Sequence, residues 1–416
     1  MLSRSRTVER SATVGFIFIT VLLDMVAVGI MAPVLPKLII LFEQGDIARA
    51  ASVAGVIGLA WAGMQFVFSP FVGALSDRYG RRPIILLSNF GLGLDYVIMA
   101  LAPSLPWLFV GRVLSGIAGA SFPTAAAYIA DVTPQEKRAG RIGLLGAAFG
   151  VGFILGPAIG GILGEIDLRL PFWVAAGLSL ANAAYGYFVL PESLPMEHRA
   201  RLKWQVVTPL STLKLLRLKP RLAGFAAAAF FCFLGHEALH AIFVLYTDYR
   251  YGWSANQVGL ALSLVGIGSG IVSGLLVRRA VARYGEHPVI LTGLVLGVIG
   301  FTAYAFAPTG ALFLASTPLL ALWALAGPAL QSSMTREVGP SEQGRLQGSL
   351  SSLRGMAGVV GPLVFTQTFI VGISGGHRTP GAPYLLVAGL LILAIVAVNG
   401  APRLRHRFSF QRVSRP

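Results

Sequence analysis

The stretch GALSDRYGRRP, Gly73 to Pro83, joins two long apolar runs and packs two glycines, one acid and three arginines into eleven residues. Gly73 suits a close helix approach, Asp77 suits the N-cap of the next helix, and Arg78, Arg81 and Arg82 are placed to pair with acids or lipid phosphates. The bland reading is a tight basic turn, Gly80 included, that only fixes topology. The stretch does not stand alone. RYGRRP at 78–83 returns as RYGEHP at 283–288, an offset of 205. TPQEKR at 133–138 and Gly156-Pro157 return as GPSEQG at 339–344 and Gly361-Pro362, with offsets of 206 and 205. Three short matches in one order at one offset mark a parallel repeat, two copies of one unit in a single chain.

The medium in which that repeat folds follows from composition. The chain has 416 residues, 55% hydrophobic and 12% charged, with 50 glycines, and its mean hydropathy is +0.73. Soluble domains carry roughly 25% charged residues. Half that charge, with many glycines to let helices approach closely, points to a polytopic membrane protein. Cys232 is the single cysteine, which excludes an internal disulfide and a cysteine-based zinc site. A small apolar filler is its simplest role.

Runs of roughly 18 or more apolar residues are candidate membrane helices. Twelve can be drawn, at 12–35, 50–72, 84–102, 107–129, 142–164, 170–190, 221–246, 255–277, 289–307, 311–330, 347–371 and 382–400. The first follows Arg4, Arg6 and Arg10 as a signal peptide would. It is too long for one, holds Asp24 at its centre and has no convincing cleavage site, so it reads as a retained helix. An even number of spans puts both termini on one side. The tails and loops of that side hold 25 lysines and arginines, against five on the other: Lys37, Arg49, Arg169, Arg250 and Arg378. By the positive-inside rule the termini are cytoplasmic, and the net charge of +16 is a topology signal rather than a nucleic-acid surface. The polar stretch 191–220 divides the chain into 1–190 and 221–416, each with six helices.

The eleven-residue loop, read with the repeat, resembles the signature loop of the major facilitator superfamily, where it helps to latch one alternating-access state. Other stretches narrow the resemblance. LLDMVAVGIMAPVLP at 22–36 looks like the first helix of drug:proton antiporters, and GRVLSGIAGA at 111–120 like their fourth-helix motif, with Arg112 as its buried cation. GVGFILGPAIGG at 150–161, with Gly152, Gly156, Pro157, Gly160 and Gly161, is similar to their fifth-helix antiporter motif, whose glycines and proline shape a bend. LDYVIMALAP at 94–103, VLYTDYRYGWSANQVG at 244–259 and GPALQSSM at 327–334 resemble the tetracycline-resistance branch. The implied fold is all-α, twelve transmembrane helices in two six-helix bundles. One departure matters. The tetracycline pumps have an acid in helix nine and a histidine in helix eight, whereas here PVILTGLVLGVIGFTAYAFA holds no ionisable residue and helix eight no histidine.

Ionisable groups inside the apolar runs are few: Asp24, Asp95, Arg112, His236, Glu237, His240 and Arg354. Such groups are costly in lipid and face a cavity or a partner. HEALH at 236–240 matches the zinc-protease pattern, with two histidines on one helical face and a glutamate beside them. A catalytic zinc also needs a third protein ligand. Cys232 and Asp95 are the nearest options, and neither lies in a protease motif, so the match reads as coincidence. The bland alternatives are an Asp–Arg pair ordering the bundle and histidines satisfied by backbone carbonyls.

With the resemblance, the expectation is proton-coupled efflux of a small amphipathic drug from the bacterial inner membrane, without cofactor, metal, nucleic acid or obligate protein partner. Asp24, Asp95, Arg112 and Glu237 are the proton-coupling candidates. Asp24, Asp95, His236, Glu237, His240 and Gln331 are the cavity candidates, with Glu237 favouring a cationic drug in place of the missing helix-nine acid. The rival readings are a sugar or metabolite transporter of the same fold and, remotely, an intramembrane zinc protease.

Overall fold

The computed structural model describes residues 2–119, 122–199, 220–339, 342–374 and 379–400, and is helical throughout, with no strand among these residues. Twelve stretches are long and apolar enough to cross a membrane. They are α1 Gly15–Phe42, α2 Ile47–Tyr79, α3 Arg81–Leu101, α4 Leu105–Val132, α5 Gly143–Ile166, α6 Leu170–Val189, α7 Arg221–Tyr251, α8 Ala255–Tyr284, α9 Glu286–Phe306, α10 Gly310–Arg336, α11 Gln343–Ser374 and α12 Ala382–Gly400. Several outrun the apolar runs, because polar end turns continue the backbone ladder beyond the hydrocarbon. In α1 the chain turns at 32–34, and a proline in the first turn of Leu35–Phe42 restarts the helix on its preset φ. Most of the polar stretch 191–220, the tail from 401, Arg378 and part of GPSEQG lie outside the described residues.

Packing follows the repeat. Within the first six helices α1 lies on α5 and α6, α2 on α4, and α3 on α6; the same pairings recur six helices later as α7 on α11 and α12, α8 on α10, and α9 on α12. The two bundles meet where α5 crosses α8 and α11 crosses α2. Both corner glycines adopt the left-handed conformation that a side chain disfavours, Gly80 at φ 108° and Gly285 at φ 81°.

The repeat also preserves an ion pair with its signs reversed. Arg81, opening α3, meets Asp131 near the end of α4 at 3.2 Å. Glu286, opening α9, meets Arg336 at the end of α10 at 3.2 Å. Both members are displaced by 205 residues, so the geometry was kept while the charges changed places.

Two expectations for the first loop are corrected. Asp77 does not cap α3: it lies in the last turn of α2 and pairs with Arg81 Nη1 at 2.5 Å. The first turn of α3 is held by Glu192, whose Oε1 accepts the backbone N–H of Arg81 at 2.9 Å and also those of Ser193 and Leu194. Gly73 makes no close approach, since a methyl there would find nothing within 4 Å. Gly80 is the glycine that space requires; its Cβ would lie 2.8 Å from Glu192 Cδ. Arg78 stacks over Tyr79, and Arg82 lies over Tyr187 and donates to the Tyr187 carbonyl.

The end carrying these loops, called the basic end below, differs from the far end in how the halves meet. At the far end Lys37 of α1 pairs with Asp248 of α7 and donates to the Trp253 carbonyl, while Glu165 of α5 accepts the Asn256 amide of α8 at 3.4 Å. At the basic end the ion pairs of described residues stay within one half: Arg81 with Asp77 and Asp131, Arg199 with Glu192, Arg221 with Glu337, and Arg336 with Glu286. The halves are thus tied together at the far end.

If Lys37–Asp248 holds that end shut, Asp248→Lys should expose it. In a Cys232→Ser background, Asn256→Cys is expected to react faster with a membrane-impermeant thiol reagent once Asp248→Lys is added, and Lys37→Asp should restore protection. Unchanged labelling would show that the pair closes nothing.

Candidate functional site

In the first bundle Asp24 is buried at the meeting of α1, α3 and α6, with 6% of its surface exposed. Asn182 of α6 donates to Asp24 Oδ1 at 2.9 Å and to the Thr20 carbonyl at 2.8 Å. Asn89 of α3, with its amide turned so that each atom meets a complementary partner, donates to Asp24 Oδ2 at 2.9 Å and accepts from Asn182 at 3.0 Å. Three helices that lipid alone would not draw together are therefore joined by one carboxylate and two amides.

Asp95, six residues further along α3 than Asn89, is fully buried; neither of its oxygens makes a hydrogen bond of ordinary geometry, and Ser115 of α4 is the donor beside it. It faces α4, where a Cβ on Gly111 would lie 2.6 Å from its Oδ1. Arg112 is the next residue on α4, yet no ion pair forms between them. The Arg112 guanidinium lies 4.8 Å from the centre of the Trp61 ring and reaches Met31 Sδ at 3.4 Å, and its Nε has no partner. In place of the Asp–Arg ion pair of the bland alternative, the arginine makes a cation–π contact beside the acid.

In the second bundle the HEALH turn of α7 is packed among aromatics. The His236 and His240 rings lie 5.1 Å apart, and His240 Nδ1 sits 3.3 Å from the His236 carbonyl. His236 also meets Trp323 of α10 at 5.9 Å, and His240 meets Phe153 of α5 at 5.4 Å, so the second histidine bridges the halves. Among the described residues no three His, Cys, Asp or Glu side chains are grouped to hold a metal ion. Glu237 lies against α11, where a Cβ on Gly361 would be 2.7 Å from its Cγ. Gly358, one turn earlier, marks the meeting of halves: a Cβ there would lie 3.9 Å from Glu237 Oε1 and 3.8 Å from Ala62 Cβ of α2. Gln331 stands apart from this group, exposed five residues before the basic end of α10 and bonded to Gln347 at 3.4 Å.

The fifth-helix motif acts on two faces. Gly156 lies so near α1 that a methyl would be 2.5 Å from Gly29 Cα, and one on Gly160 would be 2.7 Å from the Ile30 carbonyl carbon. Gly152 faces Met25 and Val26 in the same row. A Cβ on Gly161, on the other face, would lie 3.1 Å from Gly259 Cα in α8. Pro157, inside the helix, frees a backbone carbonyl between the two faces.

Sequence reading did not find Asn89, Asn182, Glu192, Asp131, Trp61, Phe153 or the Lys37–Asp248 pair. The two asparagines left a signal, each an amide within an apolar run. The aromatic partners left none, since their spacing is that of any membrane helix.

The arrangement, twelve helices in two repeated bundles around ionisable groups, is that of a secondary transporter. The Major Facilitator Superfamily model matches residues 17–362 and 226–409, and the chain belongs to that family. It is 37% identical to the class C tetracycline resistance protein of Escherichia coli over 91% of this chain and 94% of that one. It is 35% identical to the class B protein of the same organism over 84% and 86%. Among solved structures, a bacterial homologue of the human lysosomal transporter Spinster superposes with a TM-score of 0.74 over 94% of this chain and 96% of that one, at 17% identity.

The glycine contacts give a paired test. Gly160→Ala meets backbone that cannot rotate away and is expected to destabilise the purified protein by about 1–3 kcal/mol. Gly73→Ala has open space and a helical setting, and should leave the melting temperature unchanged or slightly raised. Equal melting curves for the two would discount the α1–α5 contact.

Proposed function

We propose that this chain exports a small amphipathic drug from the bacterial cytoplasm in exchange for protons, by alternating access, with both termini inside. The observation that carries the proposal is the presence of buried ionisable groups in both bundles, those of the second reaching the seam between them. Asp95 and Arg112 lie inside the first bundle, Arg112 against Trp61 of α2, whereas Glu237 meets α2 across Gly358 and His240 meets Phe153 of α5. The relatives' names supply the drug class, and tetracyclines are the first substrates to try. The basic loops supply the orientation, because lysine and arginine are retained on the cytoplasmic side.

In this reading residues 1–190 and 221–416 rock as two bodies about the linker, and the far-end contacts belong to the inward-open state. Asp95 exchanges the proton. Neither of its oxygens makes a hydrogen bond of ordinary geometry, so a proton, or Arg112 swinging from Trp61, would change its interactions strongly. Asp24 ties α1, α3 and α6 into the body that moves. Glu237 receives the positive part of the drug, since a cation gains more from a carboxylate than a neutral group does.

In proteoliposomes with an imposed proton gradient, Asp95→Asn is expected to abolish uphill drug transport while leaving drug binding and downhill exchange. Asp24→Asn should lower the melting temperature as well, because it replaces an acceptor facing two amide donors. Full uphill transport by Asp95→Asn would remove it from coupling. Glu237→Gln should weaken cationic substrates by about tenfold or more and spare neutral ones, as expected for loss of a charged partner. Equal loss for both substrate types would make Glu237 structural.

A further inference from the structure

Arg354 of α11 is a charge at depth that none of the roles above uses. It lies 11 residues into a helix that begins at Gln343, about 17 Å along its axis, and Phe233 lies at a similar depth in α7. The guanidinium sits 4.8 Å from the centre of the Phe233 ring, and the residue as a whole keeps exposed surface. Its neighbours fix its outlook. Phe233 belongs to α7, and the following residue, Gly355, seats the Phe66 ring of α2, with Phe66 Cε2 2.8 Å from where a Cβ would be. Arg354 therefore stands on the seam between the halves. Among the described residues it forms no ion pair within 4 Å. Glu237 of α7, one turn beyond Phe233 and packed against Gly361, is the acid whose charge it feels, without an ion-pair contact.

An arginine at this depth is costly unless it serves a partner. Stacking on a ring holds the guanidinium plane while leaving its N–H edge free, the geometry that suits a planar carboxylate or enolate. We infer that Arg354, held by Phe233, is an acid-group subsite of the drug cavity, so that the preferred substrates carry a planar acidic group attached to an aromatic body. Glu237, about 6 Å further along α7, is spaced to take an amine on the same molecule. The inference rests on the efflux reading for its setting but makes a separate claim about which chemical group is recognised.

The test compares a fluoroquinolone carboxylic acid with its methyl ester, both of which keep the amine. Binding to the purified full-length protein is followed by tryptophan fluorescence, with Trp323→Phe as the control for the reporter near His236. Transport is followed in proteoliposomes. The wild type should prefer the acid. Arg354→Gln should weaken the acid by about tenfold or more, the loss expected for a charged hydrogen bond, and leave the ester within about twofold. Arg354→Lys should recover part of the preference, and Phe233→Leu should lose part of it. A melting curve identifies misfolded variants, and the lysine variant then carries the comparison. Equal effects of Arg354→Gln on acid and ester, or no effect on either, would overturn the subsite. Binding with the expected preference but without transport would count against efflux while supporting the subsite.

Discussion

The contact on which the architecture depends most is the passage of α5 between α1 and α8. Gly152, Gly156 and Gly160 bring its backbone onto α1, within the first half, while Pro157 and Gly161 bring it onto Gly259 of α8, in the second. In lipid there is little hydrophobic drive for such approach, so van der Waals contact between backbones takes its place, and only small residues allow it. The same helix thus packs closely against both halves. A proline at the crossing relaxes the helical ladder where two faces must be served at once. The second bundle repeats the device with Pro362 of α11, whose Cβ lies 2.9 Å from where a Cβ on Gly58 of α2 would be. Two crossings related by the repeat give the molecule a symmetric pair of bearings.

Charge is distributed around those bearings by depth. At the basic end the ion pairs formed between described residues lie within one half and brace its loops. The sign reversal between Arg81–Asp131 and Glu286–Arg336 shows that the brace is the retained property and polarity is not. At the far end Lys37 and Asp248 cross between halves. Near the middle, charges are few and poorly paired, as Asp95, Arg112 and Arg354 show. Fully satisfied groups suit structure.

The two aspartates illustrate how environment separates residues of one type. Both lie in apolar runs and look alike in sequence. Asp24 receives two amides and becomes a fastener of three helices. Asp95 receives none, beside an arginine committed to Trp61. The histidines of HEALH separate from their motif in the same way. A zinc site needs ligands converging from several elements, whereas here the rings turn to Trp323, to Phe153 and to each other.

What the sequence by itself determined is what depends on composition and period. Long apolar runs require helices because lipid offers the backbone no other hydrogen-bond partner, and the 205-residue echo makes two like bundles of them. The α5 motif and the short inventory of buried charges were equally legible, since each is a local departure from an apolar background. Tertiary structure alone decided which of those charges meet. Asn89 and Asn182 lie 93 residues apart and share Asp24; Glu192, not Asp77, holds the first turn of α3; Gly73 faces open space while Gly80 does not. Partner choice depends on helix rotation and depth, which are set by the sum of many small packing contacts and leave no signature at any single position.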